Sequence, residues 1–488
     1  MKRLVSITLF AGITFSLQAQ IALTLDSCRA LAMENNKELL IGQEKIKAAH
    51  YQNKAAFTNY LPKLSATGTY IRNQKEISIL NDEQKAGLSQ LGTTVGTQVK
   101  GFAQQLAVAH PELVPLITSL GNFDIATPLN AAGNSIVDAF RTDTRNMYAG
   151  AITLTQPLYM GGKIRAYNKI TQYAEELARQ QHHTGMQEVI LSTDQAYWQV
   201  ISLVNKKKLA DAYVDLLRKM DSDVTAMIYE GVATEADGLS VKVKLNEAEM
   251  AQTKVENGLA LTRMLLAQIC GLSLEEDLSL ADEKLDNFPV ETTQASADLN
   301  EAFMNRNELR SLDLTTKIYK RKERIALAEM LPNVALAANY FVTNPNVFNG
   351  FKNDFAGMFN VGVMVKVPLS GWWEGTYRRN SAKAETRIKT LEWQDAREKI
   401  ELQVNQSVYK VNEAGKKLIA SSRNMENAEE NLRRANFGFE EGVIPALNLM
   451  EAQTAWVSAR SSLIDAQIEV KLTEVYLSKA LGKLSANE

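Results

Sequence analysis

The chain has 488 residues, and its 54 basic and 56 acidic side chains leave a formal net charge of −2. This near balance argues against a nucleic-acid partner, which usually selects for a basic surface. Only four histidines occur and none follows His183, so no serine or cysteine has the supporting groups of a hydrolytic site. His182 and His183 are adjacent and would point about 100° apart on a helix. We therefore predict no enzyme activity, no metal site and no cofactor.

Residues 1–19 predict a cleavable secretory signal peptide. Lys2 and Arg3 precede an apolar run that ends at Leu17, and Ala19 provides a small-residue cleavage site. The run is too short and too interrupted to favour the alternative, a membrane anchor. No later stretch reaches about 18 apolar residues, so no transmembrane helix is expected. We therefore expect an exported protein.

The only two cysteines, Cys28 and Cys270, lie in predicted helices. An exported protein meets an oxidising compartment in which two cysteines can pair. The sequence does not decide whether these two approach each other. We favour two buried or inert thiols.

The first part of the chain predicts a helix and two strands. The helix covers 23–60 and the first strand covers 64–70, where apolar or small residues alternate with hydroxyl side chains. Residues 71–147 are rich in Gly, Asn, Thr and Gln and predict a large loop with weak helical patches. A second strand covers 148–155 and is expected to end at Pro157.

A long helical hairpin follows, in a stretch without proline from 162 to 282. Apolar residues recur at alternating spacings of three and four from Met186 to Val224, and again from Val241 to Ile269. The pattern breaks at 230–232, where Gly231, followed by Val232, suits a left-handed helix end. Each residue adds about 1.5 Å to a helix, so the first arm is on the order of 100 Å long.

The same plan occurs twice. A shift of 211 positions carries Gly231-Val232 onto Gly442-Val443, within a second turn at 441–443, and Pro157 onto Pro368. We infer an internal duplication. The first repeat covers 20–282, an acidic connector covers 283–297, and the second repeat covers 298–484. The second repeat contains a helix at 298–331, strands at 334–342 and 359–367, and the second hairpin.

The strands have the pattern of a membrane barrel wall. Val361, Val363 and Val365 face one way and alternate with small or polar residues. Four strands cannot close a barrel, and an open edge in a bilayer leaves backbone groups unpaired. The strands must therefore close with those of other copies: two copies give eight strands and three give twelve. Aromatic residues near the strand ends suit a membrane interface, and packing at a strand–helix junction is the alternative for the two tryptophans. They are Tyr159, Trp372 and Trp373.

These features together resemble the TolC-like outer-membrane efflux proteins, also called outer-membrane factors. The resemblance rests on the duplicated order of helices and strands, the Leu-Pro entries and Pro-Leu exits of the strands, and the turns Tyr-Glu-Gly-Val and Glu-Glu-Gly-Val. It implies a mainly α fold whose duplicated hairpins form an α-barrel, with four strands per chain in an intermolecular transmembrane β-barrel. It also implies a homotrimer embedded in outer-membrane lipid, with 71–147 outside the cell. A periplasmic adaptor linked to an inner-membrane pump of the RND or ABC type would open the periplasmic tip.

The resemblance also implies residues that narrow the tip. The family carries acidic residues six and nine positions after the glycine of the second hairpin, which correspond here to Asn448 and Glu451. Asp237 matches an aspartate that helps to hold the tip shut, but its usual basic partner is Ile444 in this chain. A tyrosine of the family is replaced by Phe439. Three copies of Glu451 around one axis would favour cations, whereas the alternative role for this residue is a solvated helix face.

The leading hypothesis is a passive trimeric duct for an efflux or type I secretion system, whose substrate the sequence does not specify. A soluble periplasmic coiled-coil adaptor or scaffold is the alternative. It accounts for the helices but not for four alternating strands with aromatic ends. An exported hydrolase with an unusual helical site is a third hypothesis.

Overall fold

The computed structural model describes residues 22–109, 111, 114–121, 124–276, 278–284, 295–349 and 352–485. The predicted signal peptide and most of the predicted connector at 283–297 lie outside these residues. The described elements are, in chain order, α1 (Leu25–Asn35), α2 (Lys37–Phe57), β1 (Lys63–Arg72), α3 (Asp82–Ser89), α4 (Leu91–Ala109), α5 (Val114–Gly121), α6 (Ala126–Ala139), β2 (Asn146–Met160), α7 (Lys163–Tyr229), α8 (Glu235–Cys270), α9 (Leu299–Asn305), α10 (Asn307–Ala328), β3 (Asn333–Asn344), β4 (Ala356–Lys366), α11 (Trp372–Glu440) and α12 (Ala446–Ala480).

The chain divides into two compact units. The helical unit comprises the described residues of Met1–Lys54, Ala166–Glu323 and Arg378–Glu488, and the sheet unit comprises Ala55–Arg165 and Arg324–Tyr377. Each unit takes segments from both sequence repeats. This arrangement follows from the duplication, because each repeat contributes two strands to the sheet and one hairpin to the helices.

The sheet unit contains one antiparallel sheet with the strand order β1-β2-β3-β4. Residues paired across an antiparallel ladder point to the same face, so the register defines two faces of opposite character. The first face is apolar and includes Leu64, Leu154, Ala338 and Val361. The second face is polar and includes Ser65, Thr153, Asn339 and Asn360. The predicted alternation of the strands is therefore confirmed.

The outer strands of this sheet are exposed on both faces. All ten residues of β1 are exposed, and Val361, Val363 and Val365 of β4 each expose more than half of their surface. In the described part of the chain, the outer edges of β1 and β4 pair with no further strand. A sheet of this kind leaves backbone groups and an apolar face without a partner inside one chain.

Two predictions for the sheet unit are wrong. The second strand does not end at Pro157 but continues to Met160, because a register shift between Pro157 and Tyr159 accommodates a residue that has no N–H to donate. The predicted loop at 71–147 contains the four helices α3 to α6. Its glycines favour a loop locally, but Gly92 and Gly133 let helices approach closely. A Cβ atom at either position would clash with the backbone of Ala126 or Leu88.

The helical unit confirms both predicted hairpins. The long arms α7 and α11 contain 67 and 69 residues, and they end within two residues of the predicted turns. Among the described residues, no helix combines the length and apolar character needed to cross a membrane. Many positions of the predicted seam are buried, including Val189, Val200, Val214, Leu217, Val224, Val241, Leu259 and Leu266.

The first helix of each repeat is broken once, which corrects the continuous helices predicted at 23–60 and 298–331. The break falls at Asn36 between α1 and α2, and at Arg306 between α9 and α10. At both breaks the side chain turns to the end of a long hairpin. Asn36 donates from Nδ2 to the carbonyl oxygen of Ile269 at 3.0 Å, and Arg306 donates from Nη1 to that of Ala480 at 3.2 Å. These bonds satisfy carbonyl groups at the ends of α8 and α12 that have no partner within the helix.

Candidate functional site at the hairpin turns

The turn of the first hairpin is a Schellman motif. Gly231 adopts a left-handed backbone with φ of 76°, which a residue with a Cβ atom rarely adopts. The N–H of Val232 donates to the carbonyl of Met227 at 2.8 Å, and the N–H of Gly231 donates to that of Ile228 at 3.0 Å. These two bonds end α7 and reverse the chain within a few residues.

The turn of the second hairpin repeats this geometry. Gly442 has φ of 70°, the N–H of Val443 donates to the carbonyl of Gly438 at 2.8 Å, and the N–H of Gly442 donates to that of Phe439 at 3.0 Å. Val232 and Val443 expose 71% and 77% of their surface. The two turns therefore expose a pair of matching apolar side chains.

The two turns differ in how the returning helix begins. In the first hairpin Thr234 and Asp237 form a capping box, in which Asp237 donates its N–H to Oγ1 of Thr234 at 3.3 Å and accepts from the N–H of Thr234 at 2.9 Å. The Thr234 hydroxyl also donates to Asp237, and these bonds lower the pKa of the carboxyl group. In the second hairpin the cap is Pro445, which makes no side-chain cap hydrogen bond. Asn448 occupies the position of Asp237 and its side chain is exposed.

Both turns pack against one shared apolar core. Its buried members come from both hairpins, and Phe439 packs against them from the second turn. The hydroxyl groups of Tyr213 and Thr454 approach to 3.2 Å and also connect the two hairpins. The buried residues of the core are Val214, Leu217, Met220, Val224, Val241, Ala248, Ala446, Leu449 and Met450.

Glu451 lies on the exposed side of α12, one turn after Asn448, and lines a groove between α8 and α12. The groove has a volume of 820 Å³, and its α8 side carries the exposed residues Leu239 and Val243. Lys244 also lines it, but its ammonium group pairs with Glu247 at 2.8 Å. Glu451 therefore adds a carboxylate to a groove whose lining lysine, Lys244, already pairs with another carboxylate.

The sequence matches a known protein family across most of its length. Residues 97–272 and 299–483 match the family described as "Outer membrane efflux protein". The chain belongs to the outer membrane efflux protein family. The resemblance derived from the duplicated motifs is therefore confirmed, and the protein is classed with efflux channels of the outer membrane.

Individual relatives are distant in sequence and similar in fold. This outer membrane efflux protein is 20% identical to the outer membrane protein TolC of Escherichia coli K12, over 70% of its own length and 71% of that protein. The Campylobacter jejuni CmeC outer membrane channel covers 95% of the chain with a TM-score of 0.71 at 12% identity, and 87% of CmeC is matched. The outer membrane protein VceC of Vibrio cholerae covers 94% with a TM-score of 0.68 at 14% identity, and 96% of VceC is matched. At these identities the structures support the fold alone.

The predicted site residues of this outer membrane efflux protein fall in two places. Glu451, Asn448 and Asp237 lie near the hairpin turns of the helical unit, where Asp237 already has a local partner in Thr234. The predicted interface aromatics belong to the sheet unit, and all three are about half exposed or more. They are Tyr159, Trp372 and Trp373. Their proposed roles at a gate and a membrane interface stay predictions.

Sequence reasoning missed a buried charged pair in the helical unit of this outer membrane efflux protein. Arg29 of α1 binds Asp194 of α7 through two hydrogen bonds of 2.8 and 2.7 Å, and both side chains are almost fully buried. One signal was available, because Asp194 directly follows Thr193 of the apolar seam. A charge at the edge of a buried seam requires a partner, which the sequence does not identify.

The histidine pair plays no part at the turns. Nδ1 of His182 is buried without a hydrogen-bond partner, and burial, reinforced by the neighbouring His183, lowers the pKa of this imidazole. The structure groups no three possible metal ligands anywhere in the residues it describes.

Proposed function

We propose that this outer membrane efflux protein works as a homotrimeric channel that conducts substrates across the periplasm and the outer membrane. The observation that carries the proposal is the sheet. It has one apolar face and one polar face, its outer strands β1 and β4 are largely exposed, and the outer edges of these two strands pair with no further strand in the described part of the chain. A membrane barrel requires this combination, because lipid covers the outer face, water fills the interior and closure pairs every edge.

Three copies fit these requirements better than two. Two sheets of four strands would make an eight-stranded barrel, whose interior is just wide enough for its own side chains. Three sheets make twelve strands and a wider interior that can be lined by Asn339, Asn360 and the threonines of β1 and β2. The exposed Tyr159, Trp372 and Trp373 would then lie at the boundary between the apolar band and water.

The long hairpins would form a helical barrel in the periplasm. We place the hairpin turns at its inner end, where the exposed Val232, Val443 and Tyr229 offer an apolar surface to a periplasmic adaptor. An inner-membrane pump of the RND or ABC type would supply both energy and substrate choice, in efflux or type I secretion. In this topology the helices α3 to α6 lie outside the cell, and residues 1–19 direct export as a cleaved signal peptide.

Glu451 is the residue we assign to the constriction. In a trimer its exposed carboxylate would occur three times around one axis, which favours cations and narrows the pore. Asn448 would form a neighbouring ring of uncharged amides. Asp237 would act indirectly, because its carboxylate caps α8 and so fixes the shape of the first turn.

Single-channel conductance in a planar bilayer tests the proposal, after the mass of the detergent-solubilised protein has established the number of copies. We expect three copies and a small conductance that prefers cations. Glu451→Ala should reduce the cation preference or enlarge the conductance. Asn448→Asp should increase the cation preference, because it adds a second carboxylate ring.

Glu401→Ala provides the matched control. Glu401 is also an exposed carboxylate on a long helix, but it lies ~60 Å of helix before the end of α11. We expect this variant to conduct like the parent protein. If Glu451→Ala leaves both the conductance and the cation preference of the trimer unchanged, the assignment of the constriction is refuted and the channel proposal stands. Recovery of the protein in the soluble periplasm would refute the channel and support the scaffold alternative.

A further inference from the structure

The only two cysteines of the chain meet inside the helical unit. Cys28 lies in α1, and Cys270 is the last residue of α8. Both are fully buried, and Sγ of Cys270 lies 3.6 Å from the backbone oxygen of Cys28. They share one apolar core with Tyr197, Leu266 and Leu280. Folding has thus brought together two thiols that lie 242 positions apart.

Each cysteine also affects the ionisation of the other. The hydrogen bond between their side chains raises the pKa of Cys28, and burial adds to that rise. The same bond lowers the pKa of Cys270. Among the described residues these cysteines belong to no group of metal ligands.

We propose that Cys28 and Cys270 become joined by a disulfide bond during export. The inference rests on the proposed function in one respect, because it requires passage through an oxidising compartment. Two S–H bonds break and one S–S bond forms. The two electrons reduce a periplasmic protein disulfide to its dithiol by exchange through a mixed disulfide, and the two protons lost by the cysteine thiols are taken up, through solvent, by that dithiol. Both sulfur atoms are buried in the folded unit, so the exchange precedes the packing of α1 against α8.

The bond would fasten α1 to the end of the first hairpin. A crosslink that closes a long loop restricts the unfolded chain and thereby stabilises the folded one. The second repeat has no equivalent, since a shift of 270 positions in the first helix carries Cys28 onto Asp298, and the shift of 211 positions carries Cys270 onto Leu481. The first repeat would therefore be fixed covalently where the second relies on packing and on Arg306.

Mass spectrometry of the parent protein tests this directly. The protein is extracted from outer membranes without reductant and denatured in the presence of a maleimide, which labels every free thiol. We expect no label and one crosslinked peptide pair that contains Cys28 and Cys270, and two labelled cysteines only after prior reduction. Label on both cysteines before reduction would overturn the proposal. This test does not depend on whether any variant folds.

Thermal unfolding provides the second measurement. We expect a reductant to lower the unfolding temperature of the parent protein and to leave that of the double variant Cys28→Ala, Cys270→Ala unchanged. Equal responses in both proteins would overturn the disulfide.

The disulfide proposal and the channel proposal can fail separately. If the protein is crosslinked but does not conduct, the disulfide proposal stands and the channel proposal is refuted. If a trimer conducts but has two free thiols, the channel proposal stands and the disulfide proposal is refuted.

Discussion

The two hairpin turns have the same backbone and different caps. Both end a helix of nearly 70 residues with a left-handed glycine and the same pair of backbone hydrogen bonds. The helix that follows starts with a reciprocal capping box in the first turn and with Pro445 in the second. The duplication has therefore kept the geometry that reverses the chain, while the polar groups around it have diverged. We infer that the first turn is the more firmly fixed of the two.

The helix junctions differ in the same way. Asn36 and Arg306 occupy equivalent positions and bind the ends of equivalent helices. Asn36 makes one hydrogen bond to that helix end, whereas the guanidinium group of Arg306 also binds Gln403 and Glu308. In the first repeat this position thus joins two segments, whereas in the second repeat it also binds the long helix α11. Such differences separate a shared backbone plan from the interactions that stabilise each copy.

The largest expected effect on stability comes from removing the junction at Arg306, which makes more hydrogen bonds than the junction at Asn36. Arg306 is buried and its guanidinium serves several acceptors, so Arg306→Ala should lower the free energy of unfolding by about 3 kcal/mol. Asn36→Ala should cost about 1 kcal/mol, because one neutral hydrogen bond is lost. Thermal unfolding in detergent measures both. Arg306→Asn is the control and should recover part of the loss. Equal costs for the two alanine variants would show that the junctions are equivalent.

A smaller effect is expected at the turns. Thr234→Ala removes the cap of α8 and should cost about 1 kcal/mol, which corresponds to about fivefold weaker protection of the first amides of α8 against hydrogen exchange. Pro445→Ala should leave the first amides of α12 nearly unchanged, since Pro445 makes no side-chain cap bond. Equal loss of protection at both turns would contradict the asymmetry.

The smallest effect is a pH dependence confined to the first turn. The bonds from Thr234 lower the pKa of Asp237 in the folded protein. Its contribution to stability is therefore complete above the unfolded value of about 3.9 and is lost as the pH falls through the lower folded value. Exchange protection of the first turn of α8 should decrease in this range, and that of α12 should not, because Asn448 does not titrate. Thr234→Ala should abolish the difference, and its persistence in that variant would assign it to another group.

Short-range patterns in the sequence were sufficient to predict much of this fold. The alternation in the strands, the spacing of the seams and the two Gly-Val turns predicted four strands and two hairpins, all of which the structure contains. Local sequence signals gave wrong predictions where long-range packing determines the structure. Pro157 lies within a strand because a bulge accommodates it, and the glycine-rich stretch at 71–147 contains helices that pack closely at Gly92 and Gly133.

The sequence by itself determined the duplication, the order of the four strands and two long hairpins, and the family, because each depends on residue types at fixed spacings along the chain. Only the tertiary structure decided which distant groups meet. Arg29 binds Asp194, and Cys28 lies against Cys270. The physical reason is that spacing specifies the face of a helix or strand on which a side chain lies. Contacts between residues hundreds of positions apart are set by how those faces pack together.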